Sequence, residues 1–293
     1  MVTKRKMKVS VVIPTYNASK TIKHAVECLM SQTIKPFEII IVDDGSKDVV
    51  DLHQILQSFN LSEIKLIEKH ENTNAADSRN IGARNASGDV LCFLDADDYW
   101  YPQKLEKQLN ALELSSIVSC RVRAVASDRV TALRVASEFD VTKTFCENLF
   151  GSLFHNLAFQ TSTLMMRQED FLRIGGFDSS LPRHQDYQFI INAEASGLKL
   201  RFVDDVLVDY VKSGKIAKIK HNWSLEKSLH FFDRYLLTEN RKIRENFMIV
   251  QLLGPSIQAG VFSEWYKAAC NRGLVSFSFL SKTLYYTVKR VIS

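Results

Sequence analysis

The sequence predicts an α/β fold: a mainly parallel central sheet flanked by helices, followed by a helical, basic C-terminal extension. Three observations predict it. Short apolar runs alternate with segments of helical periodicity over residues 9–98, several of those runs end abruptly in acidic turns, and the charge changes sign along the chain. The 293 residues, 46% hydrophobic, suffice for one large domain with an elaborated tail. Residues 1–211 carry 24 Lys and Arg against 28 Asp and Glu, whereas residues 212–293 carry 14 against 5. A main domain over 1–211 and an extension over 212–293 are therefore expected.

Val9 to Ile13 reads as the first strand. After Pro14-Thr15-Tyr16-Asn17, Ser19 is expected to cap a helix with Ile22, Ala25, Val26, Leu29 and Met30 on its apolar face. Phe37 to Val42 reads as a second strand ending in Asp43-Asp44-Gly45-Ser46, and Val49, Leu52, Ile55, Leu56 and Phe59 mark a second helix. Ile64 to Ile67 is a shorter third strand, and a polar helix follows around 75–86. Val90 to Leu94 is the fourth strand; five apolar residues stop at Asp95-Ala96-Asp97-Asp98. Uninterrupted apolar runs of this length indicate strands buried on both faces. The turns that follow them converge on one sheet edge, where open α/β sheets hold their ligands.

Beyond Pro102 a helix carries Lys104, Leu105, Gln108, Leu109 and Leu112, and the region 115–160 offers no clear division. Thr161 to Met166 is expected as a strand, and a short helix ends at Gly175-Gly176-Phe177-Asp178. Arg183-His184-Gln185-Asp186 opens a helix that closes at Gly197. Asp186 at a helix N-terminus is stabilised as an anion by the helix dipole, which by itself lowers its pKa, so capping is one role open to it. Helices fill the extension. The last, within Leu274 to Ile292, places Phe277, Leu280, Leu284, Val288 and Val291 on one stripe with Lys282, Lys289 and Arg290 off it. Such a helix suits an anionic lipid surface, and it equally suits packing on the main domain.

Several classes lose support. The cysteines Cys28, Cys92, Cys120, Cys146 and Cys270 are odd in number and scattered, as buried thiols of a reducing compartment are. No G-x-G-x-x-G or G-x-x-x-x-G-K-[ST] is present, no signal-peptide pattern opens the chain, and no apolar stretch reaches the roughly 20 residues of a membrane span. The basic tail contains no nucleic-acid reader motif. Carboxylates crowded at a strand's end suit a hard divalent cation, Mg²⁺ or Mn²⁺, with positions left for substrate phosphates.

The set Val11-Val12-Ile13-Pro14-Thr15-Tyr16-Asn17, Val42-Asp43-Asp44-Gly45-Ser46, Ser78-Arg79-Asn80, Leu94-Asp95-Ala96-Asp97-Asp98, Gly175-Gly176-Phe177-Asp178 and Gln185-Asp186 resembles, in order and spacing, the family 2 glycosyltransferases. The resemblance covers residues 8–211 and implies the GT-A fold and inverting transfer of a sugar from a nucleotide-diphosphate donor, most simply a UDP-sugar. It implies that Pro14, Tyr16 and Asp44 meet the nucleotide, with Tyr16 stacking on the base and Asp44 accepting a hydrogen bond from it. Arg79 then stands near the diphosphate, Asp95 and Asp97 near ribose and donor sugar, and Asp97 or Asp98 on Mn²⁺ or Mg²⁺. Asp186 resembles the general base, although the family often has Glu-Asp where this chain has Gln185-Asp186. His221 is a further metal-ligand candidate, with an exposed loop histidine as the simpler reading. No Q-x-x-R-W motif of processive members occurs, so one sugar, or a few, added to a glycan or lipid-linked glycan acceptor in surface polysaccharide synthesis is expected. The implied location is cytoplasmic, with a peripheral place on the inner membrane face left open. Two other readings remain: a nucleotidylyltransferase, which would ordinarily show a glycine-rich basic loop after the first strand, and an inactive binding protein of the same fold, against which the retained carboxylates argue.

Overall fold

The computed structural model describes residues 7–125, 132–135, 140, 142–153, 159–211 and 224–292. The chain falls into two compact units: 1–141, 158–180 and 185–213 form one, and 142–157, 181–184 and 214–293 the other. His221 lies outside the described residues.

The first unit is built on a nine-stranded sheet: β1 (Val9–Thr15), β2 (Glu38–Asp43), β3 (Ile64–Glu68), β4 (Val90–Phe93), β5 (Tyr99–Trp100), β6 (Ser116–Val125), β7 (Ala132–Val135), β8 (Met165–Arg167) and β9 (Lys199–Val211). Their order is β3-β2-β1-β4-β8-β6-β9-β5, with β7 beside β6. The first four strands are mutually parallel, with Val11 opposite Ile39 and Cys92. Beyond β4 the sheet is mixed: β8 runs antiparallel to β4 and β6, β9 runs parallel to β6, and β5 runs antiparallel to β9. The parallel character read from the sequence thus describes one half of the sheet.

The apolar runs explain the parallel half. Every residue of β2 and β4 is buried, and Ile39, Ile41, Val90 and Cys92 join Val11 and Ile13 in one core with Ile22, Val26 and Leu29 of helix α1 (Ile22–Met30). Ser19 does not cap α1: its backbone N–H donates to Asp48 and the helix begins at Ile22. Helices α2 (Val49–Ser58) and α3 (Ala75–Asn85) follow, α3 capped by the Asn74 side chain, which accepts from Asp77 N–H. Helix α4 (Lys104–Ala111) buries Lys104 as well as Leu105 and Gln108. The expected strand at 161–166 is instead a 3₁₀ turn at Thr161–Thr163 leading into β8. There Thr163 Oγ1 donates to the Gln160 carbonyl at 2.7 Å, one of the local bonds by which Ser and Thr compete with a sheet ladder. Helices α6 (Gln168–Arg173) and α7 (Gln185–Ala195) complete the unit.

The second unit is helical: α5 (Phe145–Phe150), α8 (Leu225–Tyr235), α9 (Arg241–Phe247) running into a π-helical stretch over Met248–Leu253, α10 (Gly254–Gln258), α11 (Phe262–Asn271) and α12 (Phe277–Ile292). An aromatic core of Phe150, Phe231, Phe232 and Phe247 sits against His184, whose ring nitrogen pairs with Ser228 Oγ at 2.9 Å. Helix α12 is anchored by Phe279, buried and stacked on Trp265, and by Lys282 to the buried Glu245 at 2.6 Å. Phe277, Leu280, Leu284 and Val288 remain exposed, Phe277 by 88%.

All five cysteines are free, four of them buried; burial pushes the Cys28 and Cys120 thiols up to about 12 and Cys92 to about 11. Such thiols are packing groups, not nucleophiles.

Candidate active site

Because β1, β2 and β4 are parallel neighbours, the loops after Thr15, Asp43 and Phe93 leave one edge of the sheet together. Pro14 is the penultimate residue of β1, opposite Val42, and Tyr16 just beyond it is 51% exposed, leaving a ring face open for stacking. Asn17, at φ 51°, ties this loop to the next: its amide N–H donates to Ser46 Oγ at 2.8 Å and its Oδ1 accepts from Lys47 N–H at 2.9 Å.

The two carboxylates at the end of β2, Asp43 and Asp44, are buried and internally bonded. Asp43 accepts from the Ser46 amide, the Ser46 hydroxyl and Thr15 Oγ1. Asp44 accepts from Lys69 Nζ at 2.6 Å, from Thr73 N–H at 3.0 Å and from Asn72 Nδ2 at 3.1 Å. Burial disfavours the Lys69 charge, but Asp44 and Asp77 outweigh it and hold its pKa above the ordinary lysine value. Lys69 and Asn72 are not visible as site residues in the sequence; their signal, a polar stretch directly after β3, is shared by any surface loop.

After β4 the three aspartates separate. Asp95 is partly buried and paired through Oδ1 with the Arg79 guanidinium from α3. Asp97 is exposed. Asp98 is 1% exposed; Oδ2 accepts from Ser162 Oγ at 2.5 Å and Oδ1 from Val211 N–H at 3.3 Å. Desolvation, then the Asp95 charge, pushes the Asp98 pKa well up, against the Ser162 hydrogen bond. Arg79 is 6% exposed, faces Phe177 at 5.7 Å, and its buried Nε has no hydrogen-bond partner. Asn80 fixes the Gly-Gly-Phe-Asp turn beside it: its Nδ2 donates to the Phe177 carbonyl at 2.7 Å and its Oδ1 accepts from Phe177 N–H at 2.9 Å.

Asp186 stands in the first turn of α7, where its carboxylate accepts from Tyr187 N–H at 3.0 Å. Desolvation overrides the dipole expected from the sequence and pushes its pKa up to about 6; that backbone bond and the Arg79 charge lower it, and Asp95 raises it. Tyr210 reports the convergence. Its pKa is pushed up to about 12, first by desolvation and then by Asp98, Asp97, Asp95 and Asp186. Four carboxylates from two stretches far apart in sequence, the 95–98 turn and the start of α7, therefore act on one side chain.

Among the described residues no three His, Cys, Asp or Glu side chains form a ready metal cage. The donor set still fits Mg²⁺ or Mn²⁺, which take one or two carboxylates and complete their shell with water and phosphate oxygens. Exposed Asp97 and partly buried Asp95 offer oxygen ligands, while both Asp98 oxygens are engaged inward.

A mixed sheet whose parallel half carries acidic and aromatic loops at one edge defines an α/β protein of the class that holds ligands at the carboxyl ends of its strands. Residues 10–175 match the model for glycosyl transferase family 2, and the chain belongs to that family. It is 33% identical over 236 residues to the amylovoran biosynthesis glycosyltransferase AmsB of Erwinia amylovora, covering 76% of each chain. It is 29% identical over 226 residues to WfaP of Escherichia coli, a UDP-Glc:α-D-GlcNAc-diphosphoundecaprenol β-1,3-glucosyltransferase, covering 75% of this chain and 84% of that one. Two solved structures share the fold. S. aureus TarS in complex with UDP has a TM-score of 0.58 at 16% identity, over 97% of this chain and 92% of that one. The mannosyltransferase PcManGT of Pyrobaculum calidifontis with GDP-Man and Mn²⁺ has a TM-score of 0.59 at 17% identity, over 98% and 81%.

Proposed function

We propose that this glycosyltransferase moves a single sugar, with inversion, from a UDP-sugar to a hydroxyl of a lipid-diphosphate-linked glycan in surface polysaccharide synthesis. The observation that carries the reading is the placement of Asp186, with its raised pKa, in the field of the Arg79–Asp95 pair. A base with a pKa near 6 is ionised at neutral pH and still basic enough to accept a proton in the transition state. Asp186 takes the proton of the acceptor hydroxyl as that oxygen bonds to the anomeric carbon, and the donor's bond to the nucleoside diphosphate breaks on the opposite face. Tyr16 stacks on the base and Asp44, held by Lys69, orients it through an acceptor oxygen. Arg79, with an unpartnered buried Nε, directs positive charge toward the diphosphate. Mn²⁺ or Mg²⁺ held by Asp97 with Asp95 would neutralise charge on the leaving diphosphate as a Lewis acid.

The catalytic domain in this reading is 1–211, and the basic extension over 212–293 meets the membrane that carries the acceptor. No helix among the described residues is long and apolar enough to cross a membrane. The exposed stripe Phe277, Leu280, Leu284 and Val288, on a segment with 14 basic against 5 acidic residues, supports binding to an anionic lipid surface. Sedimentation with phosphatidylglycerol vesicles tests this: Phe277→Glu with Leu284→Glu should release the protein, and undiminished binding would remove α12 as the contact.

The donor site is tested by thermal shift against UDP-, GDP-, dTDP- and CMP-sugars, each with Mn²⁺ and with chelator. A ligand of the folded state must raise the melting temperature. A metal-dependent rise with UDP-sugars supports the reading; a rise with another base only, or none, overturns the UDP assignment.

A further inference from the structure

We propose that Ser162 is a positioning residue whose hydroxyl sets the orientation of the Asp95–Asp98 turn; its relevance to donor binding rests on the function proposed above. Ser162 has no exposed surface and lies 64 residues beyond Asp98 in sequence. Its Oγ accepts the Asp95 backbone N–H at 3.0 Å and donates to Asp98 Oδ2 at 2.5 Å. One atom therefore grips both ends of a turn that is itself closed by Asp98 N–H to the Asp95 carbonyl at 3.0 Å. Because the amide already occupies a lone pair, the hydroxyl proton is directed at the carboxylate. Asp98 is thereby drawn inward, while Asp97 before it is exposed.

The 3₁₀ turn bearing Ser162 is fixed from behind by three side chains. Trp100 Nε1 donates to the Ser162 carbonyl at 2.9 Å, Gln108 Nε2 donates to the Thr163 carbonyl at 2.7 Å, and Ser119 Oγ pairs with Thr163 Oγ1 at 2.8 Å. Behind these stands Lys104, also without exposed surface, with Nζ 2.6 Å from Gln108 Oε1 and 3.6 Å from the Trp100 ring centroid. A lysine is rarely buried without a strong reason. Here its two contacts are two of the side chains that hold the Ser162 turn, so a buried polar framework runs from α4 to the acidic loop. Satisfied networks of this kind rigidify what they support.

The test compares Ser162→Ala, Ser162→Cys and Ser162→Thr. Cysteine keeps the volume and weakens the hydrogen bonds, whereas threonine keeps the hydroxyl. Hydrogen–deuterium exchange of the peptide spanning 95–98 should rise roughly tenfold in the alanine and cysteine variants, with β1 and β2 peptides unchanged, since the buried hydrogen bonds of one hydroxyl to the Asp95 amide and the Asp98 carboxyl are lost. Mn²⁺-dependent binding of the nucleoside diphosphate that the wild type takes, read by calorimetry, should weaken by about tenfold or more, the loss expected when a ligand's orienting partner is removed. Threonine should recover most of both. Wild-type exchange and affinity in Ser162→Cys would make Ser162 mere packing and overturn the proposal, as would exchange rising equally in β1 and β2. Should Ser162→Ala fail to fold, Ser162→Cys carries the same two readouts. A wild type that binds no nucleoside diphosphate defeats the function proposed above, and the exchange result then decides the role of Ser162 alone.

Discussion

The turns after β2 and β4 leave the same sheet edge, and both are acidic, yet their carboxylates meet different surroundings. Asp43 and Asp44 are buried among protein donors: Ser46 and Thr15 for one, Lys69, Asn72 and Thr73 for the other. In the second turn only Asp98 is internalised, Asp95 meets a single guanidinium, and Asp97 is exposed. Burial among protein donors, and not the density of acid, marks Asp43 and Asp98 as carboxylates that build the scaffold.

The largest effect is expected at a carboxylate belonging to neither turn. Asp186→Asn should lower transfer by about 10³-fold, within the range for loss of a general base, while nucleotide affinity stays near wild type. Substantial residual transfer would return the base to one of the two turns and break the comparison. Next, Asp97→Asn should weaken Mn²⁺-dependent nucleotide binding by roughly 10- to 100-fold with little change in melting temperature, because the side chain is exposed. Unaltered metal dependence in calorimetry would mean that Asp97 is not a metal ligand. Asp43→Ala addresses the other turn: stranding the Ser46 and Thr15 donors should cost about 2 kcal/mol in urea unfolding. A variant as stable as wild type would dissolve the scaffold role.

The smallest effect sharpens the contrast through pH. With the Asp186 pKa pushed up to about 6, transfer should rise with pH through that value and level off above it. The folded protein holds this proton more tightly than the unfolded chain does. Its contribution to stability is therefore present in acid and lost as pH rises through about 6. Melting temperatures of Asp186→Asn should accordingly gain on wild type as pH rises from 5 to 8, on the order of a degree or more. Parallel curves would show the carboxylate to be better solvated than its surroundings imply.

Much of this site is legible in the sequence because its signals are local. Short apolar runs such as Ile39–Val42 and Val90–Leu94, bounded by turn residues, read as buried strands, and the acidic residues that follow them stand at the sheet edge. Asp186 is legible through the turn and helix around it. The division of labour among Asp95, Asp97 and Asp98 is not, since it depends on a serine 64 residues away and on Val211 N–H, 113 residues away. The half of the sheet beyond β4 is hidden for a similar reason. In β6 charged residues interrupt the apolar pattern: Arg121 is held by Asp204 and Arg123 by Asp209, both on β9, so the strand becomes recognisable only with its partner. Lys104 defeats sequence reasoning most directly, as a lysine at a helical position normally signals solvent.

The loop clamped by Asn80 has a consequence for anyone scanning this protein by mutation. Gly176 adopts φ 70°, and a Cβ there would lie 2.5 Å from Asn80 Oδ1 and 3.1 Å from the Phe171 ring. Even alanine must push against Asn80, the sequence neighbour of Arg79. In a growth or activity screen such a variant would score like a donor-site lesion, although glycine has no side chain with which to touch a donor. Tolerance profiles at this edge will therefore register backbone geometry as if it were substrate recognition, unless folding is measured alongside activity.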